Sequence, residues 1–115
     1  MVVRVRACAA DELGPGEAIQ VATKPPIAVF NVDGVFYATD DTCTHEEWSL
    51  ADGYVDGDQV ECSSHFAKFC IRTGAVLSLP ATKPLRTFSV TVEAGAVMVE
   101  VDDGREPPPG SQVPG

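Results

Sequence analysis

Residues 43–65 read CTHEEWSLADGYVDGDQVECSSH. The stretch opens with Cys43-Thr44-His45, closes with Cys62-Ser63-Ser64-His65, and places sixteen residues between His45 and Cys62. The chain has two histidines, and both stand here, each beside a cysteine. Thiolate and imidazole are soft and borderline donors, so two short Cys/His clips joined by a spacer read as one four-ligand metal site. A Cys2His2 zinc finger usually keeps its cysteines in one clip and its histidines in the other. Here each clip carries one of each. That order suits a binuclear centre in which one metal takes both thiolates and the other both imidazoles. A structural zinc site, or four residues that fill a core, is the competing reading of the same pattern.

Working outward, 115 residues make one domain with a modest core. Nine prolines, ten glycines, few aromatics and frequent β-branched residues favour short strands and tight turns over helices. The net charge of −9 argues against nucleic acid and anionic membrane surfaces as partners and favours basic patches on proteins, or simply a well-solvated surface. The opening Met1-Val2-Val3-Arg4-Val5-Arg6 lacks the apolar segment of a signal peptide, and no apolar run approaches a membrane span, so a cytoplasmic protein is expected. In that compartment Cys8 and Cys70, outside the clips, are expected to be reduced core thiols.

The alternation of Val3 and Val5 with Arg4 and Arg6 predicts a first strand over Val2–Cys8, with a helical turn at Ala9–Leu13. A short strand follows at Ala18–Ala22. Asp33-Gly34 between Ile27–Val32 and Val35–Thr39 is a two-residue hairpin signal. Asp40–Gly53 reads as an irregular loop with a short helical turn after His45. Val55–Glu61 is a second hairpin, which delivers Cys62 at a strand end. Lys68–Arg72 and Ala75–Leu77 flank Thr73-Gly74, and Ser78–Pro84 is a loop. A closing hairpin runs from Phe88 to Val101 with Val97, Val99 and Val101 on its buried face. Gly104–Gly115, rich in proline and glycine, is expected to be a disordered tail. Phe69 is expected to pack; Trp48 is expected to pack too, the alternative being a shield over the metal site or a place at a docking face. Cys70 is expected to be a buried small hydrophobe, and Phe66 an exposed contact beside His65.

Cys43-Thr44-His45, Trp48-Ser49-Leu50, Asp52-Gly53, Glu61-Cys62-Ser63, His65, Lys68-Phe69-Cys70, Arg72-Thr73-Gly74 and Pro80 carry a resemblance. Over about residues 1–101 the chain is similar to the small Rieske [2Fe–2S] ferredoxins of bacterial aromatic-ring-hydroxylating dioxygenase systems, of the biphenyl, cumene and carbazole kind. The resemblance implies an all-β fold, a Rieske-type antiparallel β-sandwich or barrel with a small cluster-binding subdomain of two loops. The domain would span 1–103 with the subdomain at about 40–80, leaving 104–115 as the tail. One [2Fe–2S] cluster is implied, Cys43 and Cys62 ligating the inner iron and His45 and His65 the outer iron, each imidazole exposing its other nitrogen. Respiratory Rieske proteins carry an extra cysteine in each clip, forming a disulfide; Trp48 and Ser64 stand at those positions, so that bridge cannot form. Many ferredoxins of the family have proline after the second cysteine and glycine after the second histidine, where this chain has Ser63 and Phe66. Glu46 and Glu47 bring carboxylates close to the implied electron exit, where they could tune partner choice or be incidental surface charge.

The implied function is one-electron carriage from a flavin-dependent ferredoxin reductase to the Rieske centre of a terminal oxygenase. Both partners would be transient and the ferredoxin a monomer. The chain shows no spare histidine, no nucleophile–base pair and no phosphate-cradling loop, which suits a carrier rather than an enzyme. Two neutral imidazoles in place of two thiolates raise a cluster's potential above that of plant-type ferredoxins. With no disulfide brace and few donors near the sulfurs, the expected potential lies toward the low end of the Rieske range and is essentially independent of pH near neutrality. The alternatives are a small subunit of a larger redox enzyme such as a nitrite reductase, and a zinc-stabilised interaction module.

Overall fold

The computed structural model describes residues 2–43, 48–62, 67–78 and 83–107. Among these residues nine strands run in chain order: β1 (Val3–Ala9), β2 (Ala18–Val21), β3 (Ile27–Val32), β4 (Val35–Asp40), β5 (Tyr54–Asp56), β6 (Gln59–Glu61), β7 (Lys68–Cys70), β8 (Thr87–Glu93) and β9 (Ala96–Val101). Two 3-10 turns, Ala10–Glu12 and Leu50–Asp52, interrupt them. The larger sheet has the order β1-β9-β8-β4-β3-β2 and the smaller β5-β6-β7, with every pair antiparallel.

The larger sheet is joined at its middle by only two residue pairs, Ala38 with Phe88 and Thr39 with Thr87. Its two halves fold over one another across that narrow seam. Val5, Val97, Val99 and Val101 from one half meet Val21, Ile27, Val29 and Ala38 from the other in one apolar core. The strand β3 explains the rest of the architecture. All six of its residues are buried, which a strand with one wet face cannot achieve. Ile27 and Val29 enter the first core, while Ala28, Phe30 and Val32 point the opposite way into a second. That second core lies beneath the small sheet and contains Leu50, Val60, Phe69, Ile71 and Leu85. The uninterrupted run Ile-Ala-Val-Phe is therefore the middle layer of three. The single polar member, Asn31, donates to the Leu13 carbonyl and accepts from the Gly34 amide, so its burial leaves no unmet polar group.

Turn chemistry sets the hairpins. Asp33 and Gly34 both have positive φ, 50° and 92°, as a two-residue connection with the twist of its strands requires. Ala94 and Gly95 do the same at 50° and 78°, which places an alanine where its Cβ is disfavoured. At two other glycines space decides. A Cβ on Gly53 would lie 2.3 Å from the Glu61 carbonyl oxygen, and one on Gly74 2.1 Å from that of Leu85.

Several expectations are revised. One stands: the short helical turn expected after His45 is the 3-10 turn Leu50–Asp52, while residues 44–47 lie outside the described residues. The strand expected at Ala75–Leu77 contracts to a single bridge of Val76 with Phe69. Trp48 is 50% exposed, so it is not a packing residue. Cys70 is half-buried rather than enclosed, because it lies on the solvent face of β7, whose other face carries Phe69. The expected disordered tail does not begin at Gly104. Arg105 is buried and Glu106 pairs with Lys24, since a guanidinium with carboxylate partners can pack where proline and glycine cannot. The described structure ends at Pro107.

Candidate metal centre

Both cysteines of the clips are buried in the second core, Cys43 at 3% and Cys62 at 0% exposure, and neither is in a disulfide. Each stands at the base of a loop closed in the same way. The Cys43 amide donates to the Trp48 carbonyl at 2.9 Å, and the Cys62 amide to the Ala67 carbonyl at 2.8 Å. In both cases the chain leaves at the cysteine and returns five residues later within one hydrogen bond. The partners His45 and His65, with Glu46, Glu47, Ser64 and Phe66, lie outside the described residues.

The arms beneath the two loops are built differently. The second loop is the tip of the β6–β7 hairpin, where Glu61 pairs with Lys68 just below Cys62. Alternate residues Val60 and Phe69 anchor that hairpin in the core. Among the described residues the arms of the first loop are joined by a bridge of Thr42 with Ser49 and the bond from the Leu50 amide to the Asp41 carbonyl, with no strand pair. Asp41 compensates. Its carboxylate, on a residue 1% exposed, accepts from the Ser49 hydroxyl at 2.8 Å, the Ala51 amide at 2.9 Å and the Gln20 side-chain amide at 2.7 Å. Hydrogen bonds to a charged acceptor contribute about 1.5–3 kcal/mol each. Asp41 thus ties the returning arm of the first loop to its outgoing arm and to β2.

Gly53 brings the two loops together. Its missing side chain lets the backbone after the Leu50–Asp52 turn lie against the Glu61 carbonyl, one residue before Cys62. Gly74 performs the equivalent service behind β7, where the Leu85 amide donates to its carbonyl at 2.8 Å. The pairs Asp52-Gly53 and Thr73-Gly74 in the sequence pattern are therefore close-approach positions.

The outer face of the small sheet carries Tyr54, 62% exposed, beside Glu61 and Lys68, and Leu77 and Trp48 are also exposed. Cys70 opens to the same side; a hydrogen bond from the Thr73 hydroxyl holds its thiol below the ordinary value. Cys8, on β1 and packed against the first core, is pushed the other way by burial and by the Glu12 carboxylate.

Two buried, unbridged thiols in one core, each at the base of a closed loop with a histidine in its sequence, form a donor set suited to an iron–sulfur cluster. The Rieske [2Fe–2S] domain family matches residues 3–89, and the chain belongs to that family. Its relatives include the biphenyl dioxygenase ferredoxin subunit of Pseudomonas sp. (strain KKS102), 53% identical over 83% of this chain and 89% of the relative. They also include the biphenyl 2,3-dioxygenase ferredoxin component of Rhodococcus jostii (strain RHA1), 49% identical over 84% of this chain and 92% of the relative. Among solved structures, one of reduced oxygenase with oxidised ferredoxin in carbazole 1,9a-dioxygenase contains a chain 42% identical to this one. It superposes with a TM-score of 0.81 over 84% of this chain and 92% of that chain.

The family's cofactor is a Rieske-type [2Fe–2S] cluster, and the described part of the site, Cys43 and Cys62, fits it.

Proposed function

We propose that this chain is the ferredoxin of an aromatic-ring-hydroxylating dioxygenase system, carrying one electron at a time from a flavin-dependent reductase to the Rieske centre of a terminal oxygenase. The observation that carries the reading is the matched closure of two loops over two buried cysteines in a single core. Cys43, His45, Cys62 and His65 are the proposed ligands, the cysteines on the inner iron and the histidines on the outer. When bound, the cluster accepts and returns one electron without proton or group transfer. The protein's part is to bury the thiolate side in a dry core and to brace both loops, so that little rearranges between oxidation states.

The surface around the loops supports a transient, charge-guided encounter. Residues 40–61 hold eight carboxylates and no lysine or arginine. Asp41 is buried and Asp40 is paired with Arg105, but Asp52 and Asp56 are exposed, which favours partners with basic docking surfaces. Trp48, at the return of the first loop, and Tyr54, at the start of β5, give that acidic surface two exposed rings for close contact. Among the described residues no helix is long and apolar enough to cross a membrane. We place the carrier in the cytoplasm as a monomer. One Rieske domain is proposed to include residues up to Pro107, with the cluster subdomain at about 40–80. The relatives near half identity are ferredoxins of biphenyl dioxygenase systems, which supports an electron carrier.

The test is reconstitution with the reductase and oxygenase of a biphenyl dioxygenase system. Substrate hydroxylation driven by reduced nicotinamide is expected to depend on this protein and to fall steeply with salt. Co-purification in a stable stoichiometric complex with a large redox enzyme, with no transfer to a free oxygenase, would overturn the shuttle reading.

A further inference from the structure

The segment after β9 crosses back over the base of the first loop. The Lys24 amide donates to the Glu106 carbonyl at 2.9 Å and the Glu106 amide to the Lys24 carbonyl at 3.1 Å. Between them Arg105 turns inward, its side chain 3% exposed. Nη2 donates to Asp40 Oδ1 at 2.7 Å and to Asp103 Oδ2 at 2.6 Å. Nε donates to both Asp103 oxygens at 3.0 Å, and Nη1 to the Pro25 carbonyl at 3.1 Å. The guanidinium carbon sits 4.5 Å from the centroid of the Phe88 ring. The fork and the face of this side chain are both in use, an arrangement lysine cannot reproduce.

The acceptors are placed to a purpose. Asp40 ends β4, three residues before Cys43, and Pro25-Pro26 precede β3. The Pro26 carbonyl accepts from the Asp41 amide at 3.1 Å and lies 3.4 Å from Arg105 Nη1. Asp41 in turn holds Ser49, Leu50 and Ala51. A continuous set of contacts therefore runs from Arg105 through Asp40, Pro26 and Asp41 to the returning arm of the first loop. The ion pair at the other end of the β6–β7 hairpin from the second loop, Arg72 with Asp58, is exposed on both sides.

We propose that Arg105 is a positioning residue for the first cluster loop: the C-terminal strap clamps residues 40–43 and so holds one of the two ligand loops, not the whole domain. The proposal rests on the reading of residues 43–48 as a ligand loop. Its physical basis is that this loop lacks the hairpin ladder of its counterpart and takes its order from side chains.

The experiment is hydrogen exchange by mass spectrometry on the full-length holoprotein, with iron counted on the same samples. Wild type is compared with Arg105→Ala, Arg105→Lys and the surface control Arg72→Ala. In Arg105→Ala a peptide spanning 40–52 is expected to exchange about tenfold faster, while one spanning 58–72 changes less than about twofold, the mark of local rather than global opening. Arg105→Lys is expected to show the same difference at smaller size, and it carries the test if the alanine variant fails to fold. Equal acceleration of both peptides would reduce Arg105 to a general stabiliser, and no acceleration of either would remove the clamp; both outcomes overturn the proposal. Zinc in place of iron in wild type would count against the cluster reading, independently of the exchange comparison.

Discussion

The two loops that carry Cys43 and Cys62 close with the same backbone hydrogen bond, yet they are stabilised by different means. The second sits on a strand pair whose alternate side chains, Val60 and Phe69, are fully buried. The first sits on a buried carboxylate, and that carboxylate sits within reach of a strap. Apolar burial is non-directional and tolerant, whereas a hydrogen-bonded carboxylate is directional and fails sharply when one partner is lost. The second loop is therefore expected to yield gradually to mutation and the first abruptly.

The largest effects break both loops at once. Cys43→Ser and Cys62→Ser each remove a thiolate from the buried side, and iron content by metal analysis is expected to fall to near zero for either. Full iron in one of them would separate the two loops in function. Next come the glycines that allow the close approaches. Gly74→Ala adds a Cβ against the Leu85 carbonyl at a residue with φ of 77°, and Gly53→Ala meets the Glu61 carbonyl. Denaturant unfolding is expected to show losses of about 2–4 kcal/mol for Gly74→Ala, where strain and overlap combine, and about 1–3 kcal/mol for Gly53→Ala.

Asp41→Asn sharpens the contrast within the first loop. An amide has one acceptor oxygen where the carboxylate has two, so either Gln20, which bonds Oδ2, or both Ser49 and Ala51, which share Oδ1, face an N–H group instead. A loss of about 1–3 kcal/mol is expected, with cluster release accelerated more than by a truncation of equal cost at Val60. Iron release to a chelator, measured beside unfolding, separates the two.

The strap adds a pH dependence of known sign. The hydrogen bond from Arg105 holds the Asp103 carboxyl well below the usual carboxylate range; Arg86 also pairs with it, and Asp40 shares the same guanidinium. A carboxyl whose folded value is depressed contributes stability above its unfolded value of about 3.9 and loses it as pH falls toward the lower folded value. The melting-temperature difference between wild type and Asp103→Asn is therefore expected to be constant from pH 7 to about 5 and to shrink below about 4. A difference that grows in acid would contradict that assignment. The smallest effect belongs to Arg72→Ala, an exposed pair contributing under about 1 kcal/mol.

Much of this was legible in the sequence, for identifiable reasons. The clips could be read because cysteine and histidine are rare and their spacing is chemically meaningful. The hairpin at Asp33-Gly34 could be read because positive φ restricts residue choice, and the closing one because Phe88–Glu93 and Ala96–Val101 alternate on either side of a glycine. Asp41 could not, because a buried carboxylate looks like any other of the chain's acidic residues until its donors are assembled from β2 and the Leu50–Asp52 turn. Arg105 was hidden by its surroundings, one arginine in a stretch whose composition signals disorder. Trp48 went astray for the opposite reason: a large aromatic suggests a core, yet here Leu50 and the cysteines are in the core and Trp48 is exposed.

The most direct test of the central claim is an electron paramagnetic resonance spectrum of the dithionite-reduced protein, with iron and labile sulfide counted on the same sample. A rhombic signal with the low average g of a histidine-ligated cluster, and about two irons with two sulfides per chain, is the predicted result. A silent spectrum with zinc in place of iron would contradict it, leaving a structural metal site that carries no electron.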